Sequence, residues 1–357
     1  MPAPDYPAAG TVLVTGATGF VAGWLVKRLL EEGMNVHAAV RDPSNTSKTA
    51  HLTRLAGELP GTLELFEADL LKEGSYGDAM AGCTVVFHTA SPFTSKFEDP
   101  QRDLVDPAVK GTRNVLTTAN EILSVERVVV TSSVVAMYGD NVDIARASGA
   151  VLTEEDWNTT SSLDHQPYSY SKVEAERAAW QIARAQDRWK LVTVNPSLVM
   201  GPTLSGHSTS ESHTLVRQMG DGTLKTGAPP LQIGMVDVRD VAEAHMRAGF
   251  VAGAEGRYIT SAGSVSFLEM SRMLRAGFGD QWPFPTRELP KWLVWLVGPM
   301  LNGSLTRKMI SRNMGYPWKA DHSKSQRDLG MQYGPVSKAV TDMFAEMIEN
   351  GTVKPPR

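Results

Sequence analysis

The chain has almost no cysteine. Cys83 stands alone among 357 residues, so no internal disulfide can form. That excludes a disulfide-stapled framework and fits a reducing compartment. Long apolar runs are also missing. The most apolar late stretch, Trp292-Leu-Val-Trp-Leu-Val-Gly-Pro-Met-Leu301, has about half the length of a membrane span. The start, Met1-Pro-Ala-Pro-Asp-Tyr-Pro7, has no basic residue and no apolar core, so no secretory signal is read there and a cytoplasmic protein is expected. The Asn-x-Ser/Thr sequons at Asn45, Asn158, Asn302 and Asn350 are then chance matches.

No sign of charge dominates. The formal net charge is -4 and the pI is near 6.1, so neither nucleic acid nor an anionic membrane is expected as a partner. The eight histidines show neither His-x-x-x-His nor cysteine-paired spacing, so no metal site is expected. His207 and His213 read as surface or pocket-wall residues. Internal repeats and low-complexity tracts are absent.

What remains is a globular composition, 42% hydrophobic and 21% charged, with length for one large domain or two smaller ones. The first informative stretch is Thr11-Val-Leu-Val-Thr15-Gly16-Ala17-Thr18-Gly19-Phe20-Val21-Ala22-Gly23. It reads as a buried strand, a glycine turn and a helix start. Val21, Leu25 and Leu29 fall on one helical line, with Ala22, Val26 and Leu30 beside it. Free N–H groups and the positive dipole end of such a helix suit a pyrophosphate. The spacing is Thr-Gly-x-x-Gly-x-x-Ala, with Ala22 where a third glycine is usual; inside the helix, alanine still permits close packing.

A second strand is predicted over 35–40, ending in Arg41-Asp42-Pro43-Ser44-Asn45. This end meets the adenosine ribose in a dinucleotide fold. Arg41 comes first, and Lys48 follows near the next helix. Together they suit a 2′-phosphate, so NADP(H) is placed ahead of NAD(H). Asp42 complicates this, because a carboxylate could serve ribose hydroxyls instead. Further strands are predicted over 62–68, 84–88, 126–131 and 190–194, with a helix over 104–122. This alternation implies βαβ crossovers, a Rossmann-type doubly wound α/β fold with a parallel sheet, and a crevice at the strand ends.

Pro167-Tyr168-Ser169-Tyr170-Ser171-Lys172 opens another helix. Tyr168 and Lys172 are four apart and share a face. An ammonium beside a phenol lowers its pKa, so Tyr-x-x-x-Lys is a proton-transfer device. Tyr170 is a decoy, with Glu174 four residues on. Ser132-Ser133 stands at the end of the 126–131 strand. Beyond residue 200 the composition shifts to Ser, Thr, Gly and Pro. A short helix is predicted over 213–219, a strand over 232–238, and a helix over 241–250 with Asp240 as N-cap. A strand over 257–260 and helices over 267–276, 292–301 and 336–348 complete the chain. The expected division is 1–200, with 232–262 returning to it, against a smaller, mostly helical substrate-binding part made of 201–231 and 263–357. Trp282, Trp292, Trp295 and Trp318 read as packing, Cys83 as a small buried hydrophobe, and Asp237 and Asp240 as structural.

With these motifs in view, the chain resembles the extended branch of the short-chain dehydrogenase/reductases. Within that branch it is most similar to the dihydroflavonol 4-reductases, cinnamoyl-CoA reductases and microbial aldehyde or ketone reductases. The resemblance rests on Val14-Thr-Gly-Ala-Thr-Gly-Phe20, Val40-Arg-Asp-Pro-Ser-Asn45 with Lys48, Ala68-Asp-Leu70, Val86-Phe-His-Thr-Ala-Ser-Pro92, Val130-Thr-Ser-Ser133, Tyr168 to Lys172, and Asn195-Pro-Ser-Leu-Val199. It implies reversible NADPH-dependent reduction of an aldehyde or ketone. Tyr168 resembles the proton donor, Lys172 the residue lowering its pKa, and Ser133, ahead of Ser132, the group orienting the carbonyl. The implied cofactor path runs along Gly16, Thr18, Gly19, Phe20, Val21, Arg41, Lys48, Asp69, Leu70, Thr89, Ala90, Ser91, Thr131, Pro196 and Val199, with Tyr168 and Lys172. Asp69 resembles the residue that meets the adenine amino group.

The chain departs from the family at the substrate. Val134-Val-Ala-Met-Tyr138-Gly139 lacks the asparagine of flavonoid reductases, and Gln166-Pro-Tyr-Ser-Tyr170 lacks the cinnamoyl-CoA reductase signature. Flavonoid or thioester specificity is therefore not supported. The alternatives are a 3β-hydroxysteroid-type dehydrogenase or an epimerase/dehydratase, and, from another class, a dinucleotide-sensing protein without turnover. A monomer or homodimer acting on a small molecule is expected.

Overall fold

The structure is a computed structural model and describes residues 10–91, 97–206, 210–301 and 305–355. The chain start, Pro92, His207 and Asn302, each singled out above, lie outside the described residues. In chain order the first half contains β1 (Thr11–Thr15), α1 (Phe20–Glu31), β2 (Asn35–Val40), α2 (Thr46–Glu58), β3 (Thr62–Glu67), α3 (Gly77–Met80), β4 (Val85–His88), α4 (Asp106–Glu121), β5 (Arg127–Thr131), α5 (Asn141–Arg146), α6 (Pro167–Arg184) and β6 (Lys190–Pro196). The second half contains β7 (Leu198–Met200), α7 (Glu211–Gly220), β8 (Gln232–Asp237), α8 (Val238–Phe250), β9 (Gly256–Thr260), β10 (Gly263–Ser266), α9 (Phe267–Phe278), α10 (Lys291–Leu301), α11 (Arg307–Asn313), α12 (Ser323–Leu329) and α13 (Val336–Glu349).

Seven parallel strands form the main sheet in the order β3-β2-β1-β4-β5-β6-β9. The order reverses between β1 and β4, and a crevice opens beyond the carboxyl ends at such a switch. Alternation along β1 explains the two layers. Val12 and Val14 point into the core built with Leu25, Leu29 and Met246, whereas Leu13 points into the one built with Val86, Leu116 and Ala179. Both sheet faces are covered by helices, which is why the strands read as unbroken apolar runs.

Residues 232–262 divide between two sheets. β9 joins the main sheet, but β8 pairs with β7 and β10 in a separate three-stranded sheet. That sheet carries the third core, where Trp282 and Phe284 pack on Phe344 with α7, α9 and α13 around them. The start of α8 also differs. Asp237, not Asp240, is the N-cap, because its extended backbone ends β8 and its carboxylate accepts from the Arg239 N–H at 2.9 Å. Asp240 sits in the first turn, accepts from Gly334 N at 2.9 Å, and is pushed by burial to a pKa of about 6. Trp282 and Trp318 are buried as expected, and so is Cys83. Trp292 and Trp295 are not packed inside; both are exposed on α10, because its inward stripe is Val294 and Gly298.

Candidate active site

The glycine turn after β1 is held by backbone alone. Gly19 N donates to Gly16 O at 2.8 Å, and Gly23 N to Gly19 O at 2.8 Å. Gly16 has φ +62°, and a Cβ there would sit 2.9 Å from Ala90 Cα and Cβ. Glycine is required at that point on both counts. Gly19 is the N-cap of α1 with no side-chain capping bond, and no acid occupies the first turn. The N–H groups at Phe20 and Val21 therefore face the strand ends ready for an anion, beside Thr18 in the turn. This cradle, closed to a Cβ and uncapped, fits the pyrophosphate of a dinucleotide.

Arg41 and Lys48 are exposed beyond β2 and at the start of α2. Asp42 is occupied locally: its Oδ1 accepts from Ser44 N at 2.9 Å and Ser44 Oγ at 2.6 Å. Those bonds hold its carboxyl below the usual range. The carboxylate thus shapes the loop, and the cations are left to meet an anion. Asp69, after β3, is likewise exposed, with Oδ1 accepting from Leu71 N at 2.8 Å. Asn114 on α4 pins this loop by donating to the carbonyls of Leu70 and Lys72.

Leu70, Ala90, Ser91, Thr131 and Lys172 line one cavity at the ends of β4 and β5, together with His88, Ser132 and Glu176. Tyr168 and Ser133 do not line it, nor do Gly16, Thr18, Gly19, Phe20, Val21, Arg41, Lys48, Asp69, Thr89, Pro196 and Val199. Pro196 ends β6, and Val199 lies on β7 paired with Val236. Around β1 and β4, Ala90 N donates to Thr15 Oγ1 at 3.1 Å, and that hydroxyl is hydrogen-bonded to His88 Nδ1 at 3.0 Å. The Thr89 hydroxyl donates to Thr15 O. Burial first, then the charge of Lys172, pushes the His88 pKa down to about 3, so the ring is neutral. The Thr131 hydroxyl donates to His245 Nε2 at 2.6 Å.

The structure separates the two serines. Ser132 is buried and its hydroxyl donates to Glu176 Oε2. Ser133 is half-buried and caps a short turn, accepting from Val135 N at 3.3 Å. Its own hydroxyl donates to Pro196 O at 3.5 Å. Tyr168 and Lys172 lie a turn apart on α6, with the ammonium 5.6 Å from the phenol ring centroid. Lys172 Nζ donates to Ser91 Oγ at 2.9 Å, which ties α6 to the end of β4. Burial drives the Lys172 pKa down to about 8. One expectation is corrected. The Tyr168 pKa is not lowered: burial, with the Glu211 carboxylate adding to it, raises it to about 12. Tyr168 is accordingly a protonated phenol at neutral pH.

Two supporting groups were not read from the sequence. Glu176, one turn beyond Lys172, is buried and accepts from Asn195 Nδ2 at 2.8 Å and Arg257 Nε at 2.6 Å. It locks α6 to β5, β6 and β9. Its signal was the spacing: Lys172 and Glu176 share one inward face. The second is Asp140, fully buried, bonded to His165 Nε2 at 2.7 Å, Arg312 Nε at 2.5 Å and Asn313 Nδ2 at 2.6 Å. Gln166, left-handed at φ +56°, also reaches it at 3.4 Å. The entry to α6, just before Tyr168, is therefore anchored to α5 and α11.

The sequence model of the NAD dependent epimerase/dehydratase family matches residues 12–254. The chain belongs to that family. Among curated relatives it is 38% identical to cinnamoyl-CoA reductase CAD2 of Medicago truncatula over 284 residues, covering 78% of this chain and 82% of that one. It is 35% identical to tetraketide alpha-pyrone reductase 1 of Arabidopsis thaliana over 351 residues, covering 96% and 97%. Among solved structures, Gre2 of Candida albicans in complex with NADPH superposes with a TM-score of 0.74 at 28% identity, covering 96% and 99%. These family members are reductases, and the resemblance to the extended short-chain dehydrogenase/reductases stands. No helix among the described residues is long and apolar enough to cross a membrane, and none of their His, Cys, Asp and Glu residues gather as a metal site.

Proposed function

We propose that this protein reduces an aldehyde or ketone to the alcohol with NADPH, reversibly. The observation that carries the reading is the pair Tyr168 and Lys172, one turn apart, Lys172 buried and Tyr168 half-buried, at the strand ends beside the uncapped turn Gly16–Gly19. Gly16, Thr18, Gly19, Phe20 and Val21 hold the pyrophosphate. Arg41 and Lys48 take the 2′-phosphate, Asp69 and Leu70 the adenine, and Thr89, Ala90, Ser91, Thr131, Pro196 and Val199 the remaining path. When bound, NADPH supplies the hydride. Ser133 donates to the substrate carbonyl and orients it. Tyr168 gives its phenolic proton to the carbonyl oxygen as the carbon is reduced. The Lys172 ammonium then stabilises the phenolate left behind, the form that burial otherwise disfavours. The NADPH complex of the Candida Gre2 and the reductase relatives support the cofactor and the carbonyl class.

The test is paired NADPH and NADH oxidation across aldehydes, ketones and diketones. Net NADPH consumption with at least one carbonyl is expected. A protein that binds NADPH yet oxidises none with any carbonyl would point to cofactor-recycling epimerase or dehydratase chemistry instead. Arg41→Ala is expected to weaken NADPH about tenfold to a hundredfold, the worth of a charge-assisted contact, and to leave NADH nearly unchanged. Equal losses for both would mean that Arg41 does not read the phosphate.

A further inference from the structure

Most large apolar side chains left in water among the described residues stand on one helix. Trp292 is 67% exposed, Met300 86% and Leu301 82%, with Trp295 and Leu296 also exposed; elsewhere only Leu71, Phe97 and Leu123 are comparable. Trp292, Trp295, Leu296 and Met300 share one side of α10 by helical spacing, while Val294 and Gly298 on the opposite stripe pack against Ile310 of α11 and Leu301 is exposed at the helix end. The helix thus has one face seated in a small core and one left largely open among the described residues. Scattered exposed apolar residues need no explanation, but a contiguous face of two tryptophans, a methionine and a leucine does.

The segment that carries that face is basic. Residues 289–320 contain Lys291, Arg307, Lys308, Arg312 and Lys319 and no aspartate or glutamate, within a chain of net charge -4. The chain-wide charge argued against an anionic surface; its distribution argues for one. Arg312 is neutralised by Asp140 and Asp143. Arg307, exposed at the start of α11, lies over the Trp295 ring at 4.7 Å, and exposed Lys308 follows it. Lys291 sits over Tyr316 at 5.0 Å. Cations therefore border the apolar face directly. Exposed tryptophans, leucines and methionine flanked by Lys and Arg form the pattern of a helix that lies in a bilayer interface.

We propose that α10 docks this protein peripherally on an anionic lipid surface. Trp292, Trp295, Leu296, Met300 and Leu301 enter the headgroup boundary, while Arg307 and Lys308 meet lipid phosphates. At 11 residues the helix is too short to span a bilayer and lies in the plane of the interface. Charge complementarity selects this occupant over a second copy of the chain, whose corresponding face would bring like charges together.

Vesicle co-sedimentation of the full chain tests this. Vesicles of phosphatidylcholine with about 30% phosphatidylserine should bind the protein roughly tenfold better than phosphatidylcholine alone, and about 0.5 M NaCl should abolish the difference. The double variant Met300→Ser/Leu301→Ser should lose at least about tenfold of the binding, while Leu123→Ser, exposed elsewhere, should lose none. NADPH turnover of both variants in solution reports that they fold. The proposal is overturned by absence of binding to either vesicle, or by binding that survives the double substitution. It is equally overturned by a dimer in analytical ultracentrifugation that the double variant dissociates.

Discussion

The two halves of the molecule hold their working parts in different ways. The dinucleotide half relies on backbone. Gly16 is selected by a positive φ and by the approach of Ala90, and the α1 N-terminus is left uncapped. The helix α6 and its connection to the C-terminal part rely on buried side-chain bonds. Asp140 joins α5, the entry to α6 and α11, while Glu176 and Arg257 join α6 to β9. Backbone demands leave local marks in a sequence, whereas long-range ionic joints leave almost none. The helix α6, which carries Tyr168 and Lys172, is the element that these bonds hold.

Three substitutions break or sharpen that contrast, beginning with the largest effect. Gly16→Val places a branched side chain where a Cβ already collides and φ is +62°. It should weaken dinucleotide binding at least roughly a hundredfold. Calorimetric titration with NADPH, with circular dichroism as the folding check, measures this; near-normal affinity would show that the turn does not hold the cofactor.

Asp140→Asn breaks the joint instead of the cradle. Removing one partner of a buried ion pair should cost about 3 kcal/mol of stability, read by chemical denaturation. Asp280→Asn, in the exposed pair with Arg275, is the control and should cost no more than about 1 kcal/mol. Equal costs would refute the view that the Asp140 cluster holds the C-terminal part in place.

Lys172→Arg has the smallest effect at neutral pH but a distinctive profile. Reduction needs the ammonium, and burial brings the Lys172 pKa down to about 8, so the rate should fall as pH rises through about 8. Tyr168, raised to about 12, stays protonated throughout that range. Arginine keeps its charge, so the variant should lose the basic limb. A limb that stays near 8 in the variant would assign it to another group.

The contrast also explains what was legible in the sequence. β1 and β2 have the bounds that their β-branched runs dictate, and the periodicity of α1 and α13 is borne out to within a residue or two. Arg41 and Lys48 stand where the spacing places them, although their contact with a phosphate remains a proposal. The short elements α5, α11, α12, β7 and β10 were not read, because three to seven residues are too few to show a period. The Asp140 joint was illegible because its partners lie 25 and 172 positions away. The choice of Ser133 over Ser132 came with the resemblance and remains a proposal; in three dimensions Glu176 accepts from the Ser132 hydroxyl and Pro196 O from that of Ser133. Asp240 was taken as the cap in place of Asp237 because both precede the same apolar run, and only the backbone at the end of β8 distinguishes them.

The phenol of Tyr168 as proton donor is tested most directly by Tyr168→Phe, with NADPH affinity and carbonyl-dependent NADPH oxidation measured on the same sample. Turnover should fall about a thousandfold while the NADPH dissociation constant stays within about twofold, because the ring is kept and only the acid is lost. Turnover that survives in the phenylalanine variant would contradict the assignment.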